Sequence, residues 1–201
     1  LHLFTELQDQ CHFATKVLLD RISSGLGIKG ANSLHGHHRD DIPSKSSIFF
    51  LHYPPVEETG SQGGQNLHTD LGSLTFLYAQ QWGLQVLCPD GNEPGPDAKE
   101  KLQWKFVAPR PGHAIINVGD TLRFLTGFRL RSALHRALQL DTGDRYAMTY
   151  FLRPNDEVEL TDSEGKDCTA VDWYLKKNSN YESKNEAQRS EVMLGGMKVD
   201  V

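Results

Sequence analysis

Between Leu74 and Leu152 the chain carries seven short β-rich segments cut apart by turn chemistry, and few folds accommodate strands at that density. The segments are Leu74–Ala79, Leu84–Cys88, Trp104–Ala108, His113–Val118, Thr121–Phe124, Ser132–Leu140 and Tyr146–Leu152. Pro89-Asp90-Gly91, Pro109-Arg110-Pro111-Gly112, Gly119-Asp120 and Asp141-Thr142-Gly143-Asp144 lie between them, rich in the residues that bend a backbone sharply. An eighth run, Ser47–Tyr53, is stopped by Pro54-Pro55. Short strands so arranged predict a β-sandwich or jelly roll. Helices flank this region. Leu3, Leu7, Cys11, Ala14, Val17, Leu18 and Ile22 repeat at helical spacing, which predicts one amphipathic helix over Leu3–Ser24, ended by Gly25, Gly27 and Gly30. Ala170–Tyr174 and Asn185–Leu194 are expected C-terminal helices, and the fold class is mainly β with flanking helices. Ala31–Ser47 reads as loop, Glu57–Asn66 as a Gly- and Gln-rich loop, and Pro89–Lys101 as an exposed polar insertion.

The chemistry concentrates in His68-Thr69-Asp70, His135 and Arg145. Side chains at i and i+2 of a strand point the same way, so His68 and Asp70 can reach one ion. The third ligand must then come from a distant strand, and His135 is the candidate. Two imidazoles and one carboxylate on one face, with the opposite face open, suit non-haem iron(II). The same donors also suit zinc.

These residues stand in an ordered series. His52-Tyr53-Pro54-Pro55 comes first, then His68-Thr69-Asp70 running into Leu74-Thr75-Phe76-Leu77, then Gly83-Leu84-Gln85-Val86. Pro111-Gly112-His113-Ala114, Ile116-Asn117-Val118-Gly119-Asp120, Arg131-Ser132 leading to His135-Arg136, and Arg145-Tyr146 leading to Phe151-Leu152-Arg153-Pro154 follow. The stretch resembles the catalytic core of the iron(II)/2-oxoglutarate-dependent dioxygenases of the isopenicillin N synthase-like superfamily. Asp172-Trp173 to Lys176-Lys177 and Leu194-Gly195-Gly196 resemble the tail of its fungal members.

The resemblance implies a double-stranded β-helix over residues 46–155, preceded by a helix and loop over 1–45 and followed by a helical tail over 156–201. It implies Fe(II) on His68, Asp70 and His135, 2-oxoglutarate as cosubstrate and O2 as oxidant. The expected activity oxidises a C–H bond of a small molecule, by hydroxylation or a related reaction in secondary-metabolite biosynthesis, and converts 2-oxoglutarate to succinate. Arg145 is the expected partner of the distal 2-oxoglutarate carboxylate, with Tyr53 as a further donor. Phe151 and Phe76 are candidate walls of the substrate pocket, although each, like Leu84, also reads as plain core. The sequence departs from the family at two positions. The family's Arg-x-Ser is Arg145-Tyr146-Ala147, and many members place an Asn where Leu51 stands. Thr149 and Tyr53 are the side chains that could replace the missing donors. The chain starts at Leu1, and the resemblance enters partway through the family's usual length, so an N-terminal region is expected to be absent or not represented.

Two alternatives stay open. One is an iron oxidase of the same superfamily that does not use 2-oxoglutarate; the other is a non-catalytic binding module on the same fold. Other polar residues read as structural. His35-Gly36-His37-His38 is expected to be a solvated loop, His113 a turn residue, and Gly119-Asp120 a turn between strands. Only one of His52 and Tyr53 can face the interior. A formal charge of −5 argues against a nucleic-acid footprint, and the longest apolar run, Ile48-Phe49-Phe50-Leu51, is too short for a membrane span. Three widely spaced cysteines give no disulfide framework, so a reducing, cytoplasmic setting is expected. Oligomeric state is not indicated.

Overall fold

Cys11, Thr15 and Leu19 recur every fourth residue, and in a computed structural model of the chain this stripe is the buried face of helix α1 (His2–Gly25). The structure describes residues 2–30, 33–55, 64–91, 101–140, 143–182 and 195–196. The chain leaves α1 through Gly27 at φ +67°, the left-handed conformation that suits a glycine past a helix end.

Ten strands follow. They are β1 (Ser47–Tyr53), β2 (Gly64–His68), β3 (Leu74–Ala79), β4 (Leu84–Pro89), β5 (Leu102–Phe106), β6 (Ile115–Val118), β7 (His135–Leu138), β8 (Arg145–Leu152), β9 (Glu159–Thr161) and β10 (Asp167–Thr169). One antiparallel sheet runs β1-β8-β3-β6, a second runs β2-β7-β4-β5, and β9-β10 form a hairpin. The two four-stranded sheets face each other across a cavity, as in a jelly-roll double-stranded β-helix. Helix α2 (Asp120–Leu125) follows β6, and helix α3 (Ala170–Glu182) follows β10.

Alternation along β8 and β3 decides what each face does. Tyr150 and Leu152 of β8 and Leu74 and Phe76 of β3 turn toward α1, where they join Cys11, Leu19, Leu34 and Leu122 in one core. Burying a leucine fully contributes about 1.5–3 kcal/mol, so Leu19 and Leu34, both wholly buried, fasten α1 and its following turn to the sheet. The opposite faces of the same strands present Thr75, Leu77, Ala147, Thr149 and Phe151 to the cavity. A second core forms where Phe124 of α2 meets Trp173 of α3 edge-on, with ring centroids 5.0 Å apart, beside Leu71 and Leu160.

Several expectations are corrected here. Thr121–Phe124 is not a strand but lies in the six-residue α2, with Gly119 at its N-cap and the Thr126 hydroxyl bonding back to the Leu122 carbonyl at its end. Gly119-Asp120 therefore leads into a helix, not between strands. Gly64–Asn66, expected as loop, opens β2, because its backbone pairs with β7. β5 is displaced from its expected bounds, and β6 and β7 are shorter than expected. Helix α3 runs well past Tyr174. Asn185–Leu194, the first part of the 57–66 loop and residues 92–100 of the polar insertion lie outside the described residues. Among the described residues, no helix is long and apolar enough to cross a membrane.

Candidate metal centre

His68 closes β2 and His135 opens β7, and the two are register partners across the antiparallel pair. Their rings lie 4.3 Å apart, centroid to centroid. Asp70 does not belong to the strand; it sits in the turn just beyond it, so same-face alternation is not what aligns it with His68. Its backbone carbonyl accepts from the Asp120 N–H at 2.8 Å, which turns the chain at α2 and folds the carboxylate back over the imidazoles. Asp70 Oδ1 is 3.7 Å from Nε2 of His68 and 3.7 Å from Nε2 of His135. One donor atom from each of the three residues falls within 4.8 Å of the others, close enough to share an ion.

The surroundings prepare two of the three donors, His135 and Asp70. The His135 Nδ1–H donates to the Ala133 carbonyl at 2.8 Å, which leaves the Nε2 lone pair for a metal. Burial pushes the His135 imidazole down and the neighbouring His68 adds to the effect, so it is a neutral ligand near pH 7. Burial alone would push the Asp70 carboxyl up. His135, His68 and the Asn117 amide outweigh it and hold the group well below the usual carboxylate range. Asn117 of β6 donates to Asp70 Oδ2 at 2.7 Å. Two imidazole nitrogens and one ionised oxygen are a donor set that fits ferrous iron.

The three donors line a cavity of about 600 Å³ whose other walls are largely apolar. Arg145, 3% exposed, enters the same cavity from β8 of the facing sheet, paired in register with Tyr53 of β1. Its guanidinium carbon stands 4.7 Å from the Tyr53 ring centroid. Nε and Nη1 of Arg145 have no hydrogen-bond partner among the described residues, a costly state for buried charged donors. An anion bound in the cavity would relieve it. Burial pushes the Tyr53 hydroxyl up, so it keeps its proton and can donate. Leu51 and Ala147, the two departures from the family pattern, are register partners one rung further along the same wall. On the following inward rung Thr149 Oγ1 is buried without a partner among the described residues.

Gly83 makes room for the arginine. A Cβ there would lie 2.3 Å from the Leu138 carbonyl and 3.0 Å from Arg145 Nε, and the backbone stands at φ +141°. Gly83→Ala is expected to lower the melting temperature by about 5 °C or more. Thermal unfolding checks this, and an unchanged midpoint would show that the Gln81–Gly83 turn moves aside.

The remaining candidates separate cleanly. Phe151 and Leu84 line the cavity, and Phe151 meets Phe49 edge-on at 5.6 Å. Phe76 does not: it shares the α1-facing side of β3 with Leu74, and its ring packs against Tyr150 at 6.3 Å. His52 turns outward, bonded to Asp144 at 2.5 Å and stacked on Tyr146, while Tyr53 turns inward. His113 is an exposed turn residue bonded to the Pro111 carbonyl. His38 corrects the solvated-loop expectation. It is 2% exposed, contacts the Leu34 carbonyl at 2.6 Å and Ser73 Oγ at 2.7 Å, and is pushed down to about 3 by burial. Sequence patterns do not single out Asn117 or Lys177 as site residues. A polar side chain inside the apolar run Ile115–Val118 is the one available hint of Asn117.

Comparison with known proteins agrees with this geometry. A family model described as the 2OG-Fe(II) oxygenase superfamily matches residues 45–154. The chain is 48% identical over 200 residues to a 2-oxoglutarate-dependent dioxygenase of Gibberella zeae, covering 98% of this chain and 57% of that protein. It is 41% identical over 202 residues to a 2-oxoglutarate-dependent dioxygenase of Amanita muscaria, covering 97% of this chain and 93% of that one. It therefore spans little more than half of the first relative and nearly all of the second. Among solved structures, JOX2 in complex with 2OG, Fe and JA superposes with a TM-score of 0.69 at 19% identity, covering 87% of this chain and 51% of that one. A full-length Neurospora crassa protein in complex with alpha-KG gives a TM-score of 0.65 at 22% identity, covering 88% of this chain and 56% of that one. At such identities the structural likeness speaks to the fold alone.

Proposed function

The chain belongs to the 2OG-Fe(II) oxygenase superfamily, and on that premise we propose that it is an iron(II)- and 2-oxoglutarate-dependent oxygenase acting on a C–H bond of a small molecule. Iron(II) held by His68, Asp70 and His135 supplies the redox chemistry that couples O2 and decarboxylation of 2-oxoglutarate to substrate oxidation. The chain itself binds, orients and excludes water. Asp70 offsets part of the charge of a divalent ion, and the two imidazoles bind through nitrogen lone pairs. Arg145 takes the distal carboxylate of 2-oxoglutarate through its planar fork, and the Tyr53 hydroxyl adds a donor. The aliphatic walls and Phe151 hold the substrate's carbon skeleton near the metal. Hydroxylation or a related oxidation in secondary-metabolite biosynthesis is the outcome that the family resemblance implies.

The observation that carries this reading is Arg145. A buried guanidinium with two unmet donors, in the same cavity as a three-donor metal face, asks for a ligand that is anionic at one end and chelating at the other. Anaerobic iron(II) titration with and without 2-oxoglutarate tests it. A visible charge-transfer band should appear with both present and vanish in His68→Ala. Tight iron binding without a band would shift the reading to an oxidase that takes its electrons from its substrate. Absence of iron binding would leave a non-catalytic module.

The Leu51 and Ala147 pair makes a further expectation. A hydrogen bond to a charged group contributes about 1.5–3 kcal/mol. Ala147→Ser is accordingly expected to tighten 2-oxoglutarate by about one to two orders of magnitude, measured as the dissociation constant of the iron-loaded protein. No change would mean that Tyr53 or Thr149 already supplies the missing donor.

A further inference from the structure

Lys177 on α3 is wholly buried, and so is its partner Asp120 at the start of α2. The ammonium donates to Asp120 Oδ2 at 2.5 Å and to Thr69 Oγ1 at 2.6 Å. Thr69 stands between two of the three metal donors, His68 and Asp70. The charge therefore sits directly behind the metal face, although it lines no part of the cavity.

The turn that carries Asp70 is gripped from two sides. Its backbone is held by the start of α2: Gly119, Asp120 and Thr121 N–H groups donate to the carbonyls of Ser73, Asp70 and Gly72 at 3.0, 2.8 and 3.1 Å. The approach is so close that a Cβ on Gly119 would lie 2.2 Å from the Gly72 carbonyl oxygen. Lys177 supplies the second grip through the Thr69 side chain. The helix that delivers it is itself fixed. Trp173 lies one turn earlier on the same face of α3 and packs edge-on against Phe124 of α2. Gly195 covers the pair from outside: a Cβ there would fall 2.5 Å from Asp120 Oδ1 and 2.8 Å from Thr69 Oγ1, and its carbonyl accepts from Arg123 at 2.6 Å.

A buried ion pair is a poor device for stability alone, since well-packed apolar residues of similar volume usually do as well or better. What the pair adds here is direction. We infer that Lys177 is a positioning residue for the metal face: its ammonium ties Thr69 to Asp120, and so fixes the backbone between His68 and Asp70. Asp70 then keeps the separation from both imidazoles that a shared ion requires. The inference rests on reading His68, Asp70 and His135 as the iron site.

The test measures iron(II) and cobalt(II) dissociation constants and melting temperatures of the full chain, anaerobically and without 2-oxoglutarate. Two variants separate structure from positioning. Thr69→Val keeps the shape and the ion pair and removes the hydroxyl that Lys177 holds. Lys177→Met with Asp120→Leu removes both charges together. Both are expected to bind the metals about tenfold or more weakly, in the range typical of lost outer-shell partners. Thr69→Val should do so while still folded at the assay temperature, melting a few degrees lower because the buried ammonium loses an acceptor. Wild-type metal affinity in Thr69→Val would overturn the inference, even if the double variant failed to fold. Wild-type affinity in a folded double variant would overturn it equally. A wild-type chain that bound neither metal would remove the iron reading itself, and that failure is distinct from the other two.

Discussion

His135→Ala is expected to abolish turnover, with less than a few per cent of wild-type succinate formation remaining at any iron concentration tested. The argument starts from the count of donors. Removing one imidazole leaves His68 and Asp70, and two donors hold a ferrous ion too weakly and leave it free to shift in the cavity. It continues with the register. His135 faces His68 across the β2–β7 pair, and among the described residues no other His, Cys or carboxylate joins the donor cluster to substitute for it. Its Nδ1 contact to Ala133 shows that this ring is oriented to ligate, not merely to fill space. The substitution leaves the β7 backbone pairing untouched and trims a side chain that is 13% exposed, so the fold should survive. Circular dichroism and melting temperature provide that control. Succinate formation is compared with that of the wild-type chain under the same conditions. Activity above a few per cent in a folded His135→Ala protein would sink the assignment of the metal face.

How far a site like this can be read in advance depends on what each residue's role rests upon. The strands β3, β4 and β8 follow from alternation and bounding turns, which are local signals, and they are legible in the sequence. The donors His68, Asp70 and His135 are legible as a set because of their spacing and the series around them. Strand alternation does not account for Asp70, however, since the residue lies beyond the strand. Helix α2 is not legible: in Asp120–Leu125 the β-branched Thr121 and the alternation of Leu122 and Phe124 around Arg123 look like a short strand. Phe76 shows a different limit. Alternation divides β3 into Leu74 and Phe76 on one face and Thr75 and Leu77 on the other, but it does not say which face meets α1. Lys177 and His38 show the limit most plainly. Lys177 appears only in a tail motif with no role attached, and a histidine in a polar loop reads as solvated. Only the packing of distant elements, α3 on the Thr69 turn and the 34–38 turn on Ser73, makes them buried.

Arg145→Met is expected to move two quantities in opposite directions, and that opposition makes it the sharper test of the cosubstrate. In the unliganded protein Arg145 is a buried charge with two unmet donors, only partly compensated by the Tyr53 ring. Replacing it with an apolar side chain of similar length removes that penalty, so the melting temperature without 2-oxoglutarate should rise. The carboxylate then has nothing to pair with. Truncating one partner of a buried hydrogen-bonded charge pair costs about 2–5 kcal/mol, which corresponds to a loss of roughly 30-fold to several-thousand-fold in 2-oxoglutarate affinity. Metal affinity without 2-oxoglutarate should stay at the wild-type value, because Arg145 contacts none of the three donors. The stabilisation that 2-oxoglutarate gives the wild-type protein should disappear from the variant as well. A wild-type dissociation constant for 2-oxoglutarate in Arg145→Met would show that the anion is held elsewhere. A fall in the melting temperature of the unliganded variant would show that Arg145, stacked on Tyr53 beside Gly83, serves the fold rather than the ligand. Weaker 2-oxoglutarate binding in a more stable protein is the outcome that assigns the charge to function.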